Sequence, residues 1–417
     1  MSLVTQPYKG ARDLYPKDKR IQKYMFGVLR SVVESFGYEE YDAPLIEPLE
    51  IYSAKSGEEI VNEQTYTFED RGGRKVAIRP EMTPSVSRMV AAKRQELGYP
   101  LRLYSIPNLW RYERPQRGRL REHWQLNVDI FGVESIEADL EVIQIADKIM
   151  QSFNANRGSY TIKLNSRKFV DEKLDLVLKE SDKKKDVVRL IDNKNKMQGG
   201  EFEAKLAEIV SGEQKSKILD FLNSKSSAPD NLTKLISQLK KEGISNVEFD
   251  ISLMRGLDYY TDIVFEVYDN NPENNRSMFG GGRYDGLVGM FGVEPLPTVG
   301  FGMGDVTLQN FLETNKLLPA FVPETDLYVV ILGDVFDKSQ KPINQLRDAR
   351  LNVAVDFSNS KIDKQIKNAV KKGIKYVLFI GDEELKSNRF TLKNLDDGTE
   401  QKLSVEEIIK TLKNLVA

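Results

Sequence analysis

The sequence predicts an α+β domain on a mainly antiparallel sheet, a helical insertion within that domain, and a separate C-terminal α/β domain. Three observations carry this reading. The stretch Leu109–Gly132 alternates at both ends as strands do, around the basic, breaker-rich connection Arg114-Pro115-Gln116-Arg117-Gly118-Arg119. From Ser166 to Asn246 lysine and glutamate dominate and apolar residues recur at helical spacing. Beyond Pro323 strand-like and helix-like segments alternate, the pattern of crossover-linked α/β units.

Composition bounds the possibilities. A chain of 417 residues is long enough for two or three domains with real cores. Hydrophobic residues at 40% and charged residues at 30% describe a soluble globular protein. There is no cysteine, which excludes disulfides and thiolate metal sites, and His123 stands alone, which excludes a histidine-cluster metal site. No zinc is expected. No apolar run approaches membrane-spanning length and the N-terminus lacks a signal-peptide core, so no membrane partner and a cytoplasmic address are expected. Net charge is −2, so a nucleic-acid surface must be a local patch.

In chain order, Lys9–Pro16 is a leading loop and Asp18–Phe36 an amphipathic helix, with Ile21, Met25, Val28, Leu29, Val32 and Val33 at helical spacing. Gly37 ends it, and a short strand from Glu39 to Asp42 runs to Pro44, which cannot donate to a sheet ladder. Thr65–Asp70 is a strand, Arg71-Gly72-Gly73 a turn, and Lys75–Arg79 its return partner. A helix follows, with Thr83 or Ser85 as its cap, which places Arg79, Glu81 and Thr83 at a strand-to-helix junction. Taken alone, this segment is explained more simply by capping plus a surface pair than by a site.

The hairpin comes next. On its first strand Arg111 and Glu113 oppose Trp110 and Tyr112; on its second, His123, Gln125, Asn127 and Asp129 oppose Trp124, Leu126, Val128 and Ile130. A half-solvated antiparallel sheet alternates in this way too. The polar face, however, carries groups suited to fixed hydrogen bonding, so a ligand site fits it equally well. A helix from Glu137 to Phe153 precedes the insertion, which is broken weakly at Gly199-Gly200 and at Ser226-Ser227-Ala228-Pro229 and whose charge runs read as solvated faces.

Strand character returns at Val247–Leu253 and Ile263–Tyr268, separated by a turn that clusters Arg255, Asp258, Tyr259 and Tyr260. A further strand and turn give Met278–Gly286, and Thr298–Gly304 places three glycines on one face of a strand, as close approach of a flat group such as a purine would require. Asp305 is placed to cap the next helix. Thr314–Pro323 reads as a linker. After it, strands are expected at Leu327–Leu332, Asn352–Asp356, Tyr376–Ile380 and Arg389–Leu392, with helices between them and at Val405–Leu415. That domain has no P-loop and no dinucleotide fingerprint. Lys361, Lys364, Lys367, Lys371 and Lys372 read as a solvated face, or as an RNA contact.

Several separated segments resemble one family. Phe36-Gly37-Tyr38 through Pro44, Arg111-Tyr112-Glu113 with its basic loop, and Gly300–Gly304 look like motifs 1, 2 and 3 of class II aminoacyl-tRNA synthetases. Arg79-Pro80-Glu81-Met82-Thr83 resembles their amino-acid-binding segment. Arg255-Gly256-Leu257-Asp258-Tyr259-Tyr260 and Gly281-Gly282-Arg283-Tyr284-Asp285-Gly286 resemble the two signatures of the histidyl-tRNA synthetases. The likeness implies a class II catalytic domain over 1–165 plus 247–313, a helical insertion over 166–246, a linker over 314–323 and an anticodon-binding domain over 324–417.

It also implies activation of L-histidine by ATP with Mg2+, transfer to the 3′ end of tRNA(His), and a homodimer. By this resemblance Arg111 and Arg255 serve the α-phosphate, Glu113 the adenine amino group and Arg119 the outer phosphates. Glu81 and Thr83, with Gln125 nearby, hold the α-amino group, and Asp129, Tyr260 and Tyr284 read the imidazole. Arg114 and Gln116 grip the tRNA acceptor end. Two positions depart from the family pattern. Thr307 stands where an arginine is usual in motif 3, and His123 stands where a phenylalanine stacks on adenine, a role the histidine ring is expected to take over. The rival reading is a non-catalytic paralogue, the regulatory subunit of ATP phosphoribosyltransferase, which lacks the last domain; the presence of 324–417 with Arg255, Glu81, Arg111 and Glu113 counts against it.

Overall fold

The structure is a computed structural model that describes residues 3–53, 64–178, 180–194, 197–223, 228–255, 259–274, 276–358 and 360–416. Gly256, Leu257 and Asp258 of the first histidine signature, and Ser226 and Ser227 of the expected break, lie outside the described residues. The chain forms two compact units, Met1–Leu318 and Pro319–Ala417.

In the first unit α1 (Pro16–Ser35) opens on a proline, whose fixed φ suits a first helical turn, and buries Ile21, Met25, Leu29, Val32 and Val33. Gly37, left-handed at φ 80°, closes it. The strands that follow are β1 (Glu39–Glu40), β2 (Ile46–Pro48), β3 (Tyr66–Glu69) and β4 (Lys75–Ile78), with the short α2 (Glu50–Ser53) after β2. Next come α3 (Thr83–Ala92), β5 (Leu101–Ser105), β6 (Asn108–Trp110), β7 (Glu122–Phe131), α4 (Glu137–Ser152) and β8 (Tyr160–Ser166). Helices α5 (Arg167–Asp175), α6 (Ser181–Asp192), α7 (Glu201–Ile209), α8 (Gly212–Asn223) and α9 (Asp230–Lys241) lead to β9 (Val247–Phe249), β10 (Ile263–Asp269), β11 (Ser277–Arg283), β12 (Thr298–Gly304) and α10 (Asp305–Thr314).

Among the described residues these strands build a nine-stranded sheet in the order β1-β5-β7-β12-β11-β10-β8-β9, with β6 added on β7, and a small sheet β2-β4-β3. Only the outer pairs β1·β5 and β8·β9 of the large sheet run parallel. The centre is antiparallel, which leaves one face free to carry polar groups. Val170, Leu174, Val187, Ile191, Leu206 and Ile218 give α5–α8 a core of their own, whereas α9 packs on α4, β8 and β9.

Arg283, at the end of β11, ties the sheet to α4. Its side chain is 6% exposed and pairs with Asp139, while Nη1 and Nη2 donate to the carbonyls of Val133 (2.9 Å) and Ser135 (3.1 Å). Burial pushes the Asp139 carboxyl up to about 6, against the pull of Arg283.

The second unit holds β13 (Leu327–Ile331), α11 (Phe336–Asp348), β14 (Val353–Val355), α12 (Ile362–Lys371), β15 (Tyr376–Ile380), α13 (Asp382–Ser387), β16 (Phe390–Asn394), β17 (Glu400–Leu403) and α14 (Val405–Val416). Its sheet runs β14-β13-β15-β16-β17, parallel in its first three strands and antiparallel in the rest. Leu327, Val329, Ile343, Leu346, Leu378 and Phe390 are central to its core.

Some expectations need correction. The first hairpin strand stops at Trp110: the Arg111 amide still bonds across to the Arg121 carbonyl (2.8 Å), but the Tyr112 amide leaves the ladder for the Gln64 carbonyl. Neither Thr83 nor Ser85 caps α3; the helix starts at Thr83 after Met82 with no side-chain cap. Asp305 is likewise the first residue of α10, and its carboxylate serves Arg12 Nη2 (2.6 Å) and the Trp124 amide (3.0 Å) instead. The strand expected to reach Asp42 ends at Glu40, and that expected to reach Leu253 ends at Phe249, where Asp250 turns the chain by accepting from Ser252. Thr314 belongs to α10, and β17 is an additional strand whose polar sequence gave no alternation.

Removing Arg283 as Arg283→Met leaves a buried carboxylate facing no cation. We expect a loss of about 3 kcal/mol at pH 7.5, measured by urea unfolding. Part of it should return as the pH is lowered from 7.5 toward about 6, because without the pull of Arg283 the Asp139 carboxyl takes up its proton at a higher pH than in the parent and no longer buries a charge.

Candidate active site

The polar face of the large sheet is the floor of a cleft of about 1880 Å3. That exceeds the roughly 300–1,000 Å3 of a typical small-molecule pocket, so it can hold more than one reactant. Strand register explains how the sequence makes the floor. Gly304, Gly302 and Gly300 on β12 lie opposite Gln125, Asn127 and Asp129 on β7, and on the other side Gly302 and Gly300 lie opposite Gly280 and Gly282 on β11. Side chains directly opposite in a ladder share a face. A side chain at Gly300 has no room: its Cβ would stand 2.2 Å from Asp129 Oδ1 and 2.4 Å from the Val128 carbonyl. The groups that demand glycine there are therefore the protein's own, the Asp129 carboxylate and the Val128 carbonyl beside it.

Asp129 is 3% exposed. Oδ1 accepts from the Tyr284 hydroxyl, and Oδ2 is buried without a hydrogen-bond partner among the described residues. Burial pushes the carboxyl up to about 7, with the Tyr284 bond opposing. Tyr284, Tyr260 and Tyr259 enclose this end of the cleft, the Tyr259 ring lying 4.9 Å from that of Tyr260 and 5.6 Å from that of Tyr284. Glu81 is 3% exposed and its Oε2 accepts from the Tyr259 hydroxyl at 3.1 Å; Thr83 lines the same cleft. Sequence reasoning chose Tyr260 and Tyr284 and passed over Tyr259. Adjacent residues of a strand face opposite ways, and only the turn lets both tyrosines point inward.

Toward the other end, Arg255 has a left-handed backbone (φ 55°) and its Nη1 lies 3.4 Å from Glu266 Oε1. Arg111 Nε donates to the Pro80 carbonyl at 2.8 Å, which fixes the guanidinium beside the Glu81 segment. Glu113 and Arg119 pair directly, Oε2 to Nε at 2.8 Å, so the basic loop closes on itself. His123 sits opposite Leu109 in the wall of the cleft. Burial, then the charges of Arg111 and Arg12, push its ring down to about 3, so the imidazole is neutral at working pH.

Thr307 is also in the wall, but its hydroxyl donates to the carbonyls of Met278 (2.7 Å) and Gly304 (3.2 Å) and adds no charge. Gln116 Oε1 accepts from Arg276 at 3.0 Å, and Arg114 is exposed on the loop, outside the lining of the cleft. The remaining predicted residues, Glu81, Thr83, Arg111, Glu113, Arg119, His123, Gln125, Asp129, Arg255, Tyr260 and Tyr284, line the one cleft together with Gln116. The insertion, read from sequence as solvated, contributes Val188, Arg189 and Asp192 of α6 to the wall. No group of three or more His, Cys, Asp or Glu able to hold a metal occurs among the described residues.

The raised carboxyl of Asp129 has a stability consequence. Its folded value lies above the unfolded one, so between about pH 4 and 7 the folded state holds the proton more tightly, and stability falls as pH rises through that window. Asp129→Asn should gain on the parent protein across those pH values and run parallel to it above them, in urea midpoints taken at each pH. Parallel curves throughout would refute the assignment.

The sequence model of the family described as Histidyl-tRNA synthetase matches residues 10–306, and that of the Anticodon binding domain matches 326–415. A histidine–tRNA ligase of Leptospira biflexa is 44% identical, over 99% of this chain and 98% of its own. Another from Thermoplasma volcanium is 35% identical, with 97% of each chain covered. In three dimensions the chain is similar to the histidyl-tRNA synthetase of a Nostoc species, with a TM-score of 0.79 at 24% identity, covering 99% of this chain and 100% of that one. The signatures lining the cleft, the matches along the whole chain and the fold agree: this chain belongs to the histidyl-tRNA synthetase family.

Proposed function

We propose that the chain is a histidine–tRNA ligase that activates L-histidine with ATP to histidyl-adenylate and passes the histidyl group to tRNA(His). One observation supports this reading above the others. Alternate residues of β7 face the cleft in the order Asp129, Asn127, Gln125, His123. At about 3.3 Å per residue, Asp129 to His123 spans roughly 20 Å. An acceptor suited to imidazole stands at one end and a neutral flat ring at the other, with Arg255 between them, beside Gly280 and so level with Gly302 and Asn127. This is the order an aminoacyl-adenylate requires.

In this reading the imidazole enters among Asp129, Tyr260 and Tyr284. A neutral imidazole offers one donor and one acceptor, and the unpartnered Asp129 Oδ2 is an acceptor awaiting a donor. A site that pairs with both nitrogens rejects apolar isosteres, because its buried polar groups would then go unpaired. Glu81 and Thr83, with Gln125, take the α-ammonium group. The substrate carboxylate attacks the α-phosphorus of ATP in line; the carboxylate-oxygen-to-phosphorus bond forms, the bond to the bridging oxygen breaks, and pyrophosphate leaves. Arg111 and Arg255 neutralise charge at the α-phosphate, a role suited to a forked, permanently charged group. Glu113 receives the adenine amino group, the His123 ring stacks on the base, and Arg119 swings from Glu113 to the outer phosphates. Mg2+ enters with ATP as the counter-ion of its phosphates, since Mg2+ at such sites takes few protein ligands.

Thr307 supplies no charge, so Arg255 and Arg119 carry what a motif 3 arginine otherwise would. Arg114 and Gln116 grip the acceptor end of tRNA(His). We take 1–165 plus 247–314 as the catalytic domain, 166–246 as the insertion, 315–323 as the linker and 324–417 as the anticodon-binding domain. The protein works in the cytoplasm as a homodimer; no helix among the described residues is long and apolar enough to cross a membrane. The regulatory paralogue is disfavoured because Glu81, Arg111, Glu113 and Arg255 all line the cleft and the second unit is present.

Exchange of labelled pyrophosphate into ATP, assayed with each of the twenty amino acids, should respond to histidine alone. Exchange with another amino acid would keep the class and overturn the pocket assignment, and histidine binding without exchange would favour the paralogue. Glu81→Gln should raise KM for histidine by about tenfold or more while KM for ATP stays near its parent value. His123→Phe should leave KM for ATP unchanged or lower; a collapse of activity would replace the stack with a specific polar role.

A further inference from the structure

Arg255 is useful at the α-phosphate only if its guanidinium is already in place, because an arginine side chain is long and loses rotamer freedom when it is ordered. Three neighbours fix it. Nη1 lies 3.4 Å from Glu266 Oε1 on β10, and the guanidinium carbon lies 5.5 Å from the centre of the Tyr260 ring. The third neighbour is an absence of side chain: a Cβ at Gly280 would stand 2.2 Å from Nη1.

Register accounts for the arrangement. Glu266 lies directly opposite Gly280 on β11 and Lys163 on β8, so all three positions share the face that lines the cleft. Glu266 is itself held, because the Tyr268 hydroxyl donates to its Oε2 at 2.6 Å. The Tyr268 ring lies 5.2 Å from Lys163 Nζ, whose charge Asp250 takes at 2.9 Å. Lysine therefore does not compete for Glu266, and one carboxylate oxygen faces Arg255 while the other is tied back. The separation of 3.4 Å exceeds the roughly 2.7–2.9 Å of a full charge-assisted bond, so the pair aims the guanidinium without sequestering it. Asp192 on α6 adds a second negative field at Arg255.

We propose that Glu266, fixed by Tyr268, is a positioning residue for Arg255: it holds the guanidinium over the gap at Gly280 in the orientation that meets the α-phosphate. The proposal rests on the assignment of Arg255 made above and extends it to residues outside the recognised signatures.

The test is histidine-dependent pyrophosphate exchange by the full chain. Glu266→Gln keeps the size and removes the charge; kcat should fall about 30-fold with both KM values within about threefold. Tyr268→Phe should cost about fivefold, and Asp192→Asn less than about twofold. A structural role is separated by a cycle: in an Arg255→Ala background the Glu266→Gln change should cost less than about twofold more. Should Glu266→Gln fail to fold, Tyr268→Phe takes its place in the cycle. A Glu266→Gln enzyme within twofold of the parent, or a full further loss in the Arg255→Ala background, overturns the proposal. An inactive parent protein would instead overturn the ligase reading itself.

Discussion

Close approach of backbone strands in the middle of the large sheet is the constraint from which the cleft follows. At the level of Asn127, Gly302, Gly280 and Glu266 the positions facing the cleft across β7, β12, β11 and β10 are polar, glycine, glycine and polar in turn, so the floor there has rims but no centre. A Cβ at Gly300 or Gly280 would collide with a neighbouring carbonyl as well as with the side chain of Asp129 or Arg255 respectively. The same positions thus satisfy sheet packing and leave room for reactants. The glycine weakening expected of an isolated strand is offset by partners on both sides.

Much of this was legible in the sequence. The alternation of His123, Gln125, Asn127 and Asp129 identified both the strand and its polar face, because a period of two survives any tertiary context. The glycine triad of β12 was legible too, but what it accommodates was not: a purine was expected at the backbone, and the Asp129 carboxylate lies there first. Register across strands decides that, and register is not written in any single segment. Tyr259, Glu266 and Gly280 were missed for the same reason, since each acquires its partner from another strand or turn.

The failed caps share a cause. Thr83 and Asp305 have the right chemistry for N-caps, yet each stands one residue too late, and Asp305 spends its carboxylate on Arg12 and the Trp124 amide, more than a hundred residues away. Local propensity proposed the residues and long-range packing reassigned them. The same packing makes His123 neutral and gives Asp129 a carboxyl that titrates near physiological pH, so the two ends of β7 differ in electrostatic character although they lie on one strand.

Glu113 pairs with Arg119 inside the basic loop, and under the roles proposed for them this bears on how ionic strength acts. Under the proposed roles each arrival of ATP exchanges one internal ion pair for contacts to base and phosphate. Added salt screens the half-exposed internal pair as well as the attraction between phosphates and arginines, so the two effects partly cancel. Under the proposed roles the loop is a charge buffer, holding nucleotide affinity steadier across ionic conditions than a set of unpaired arginines would.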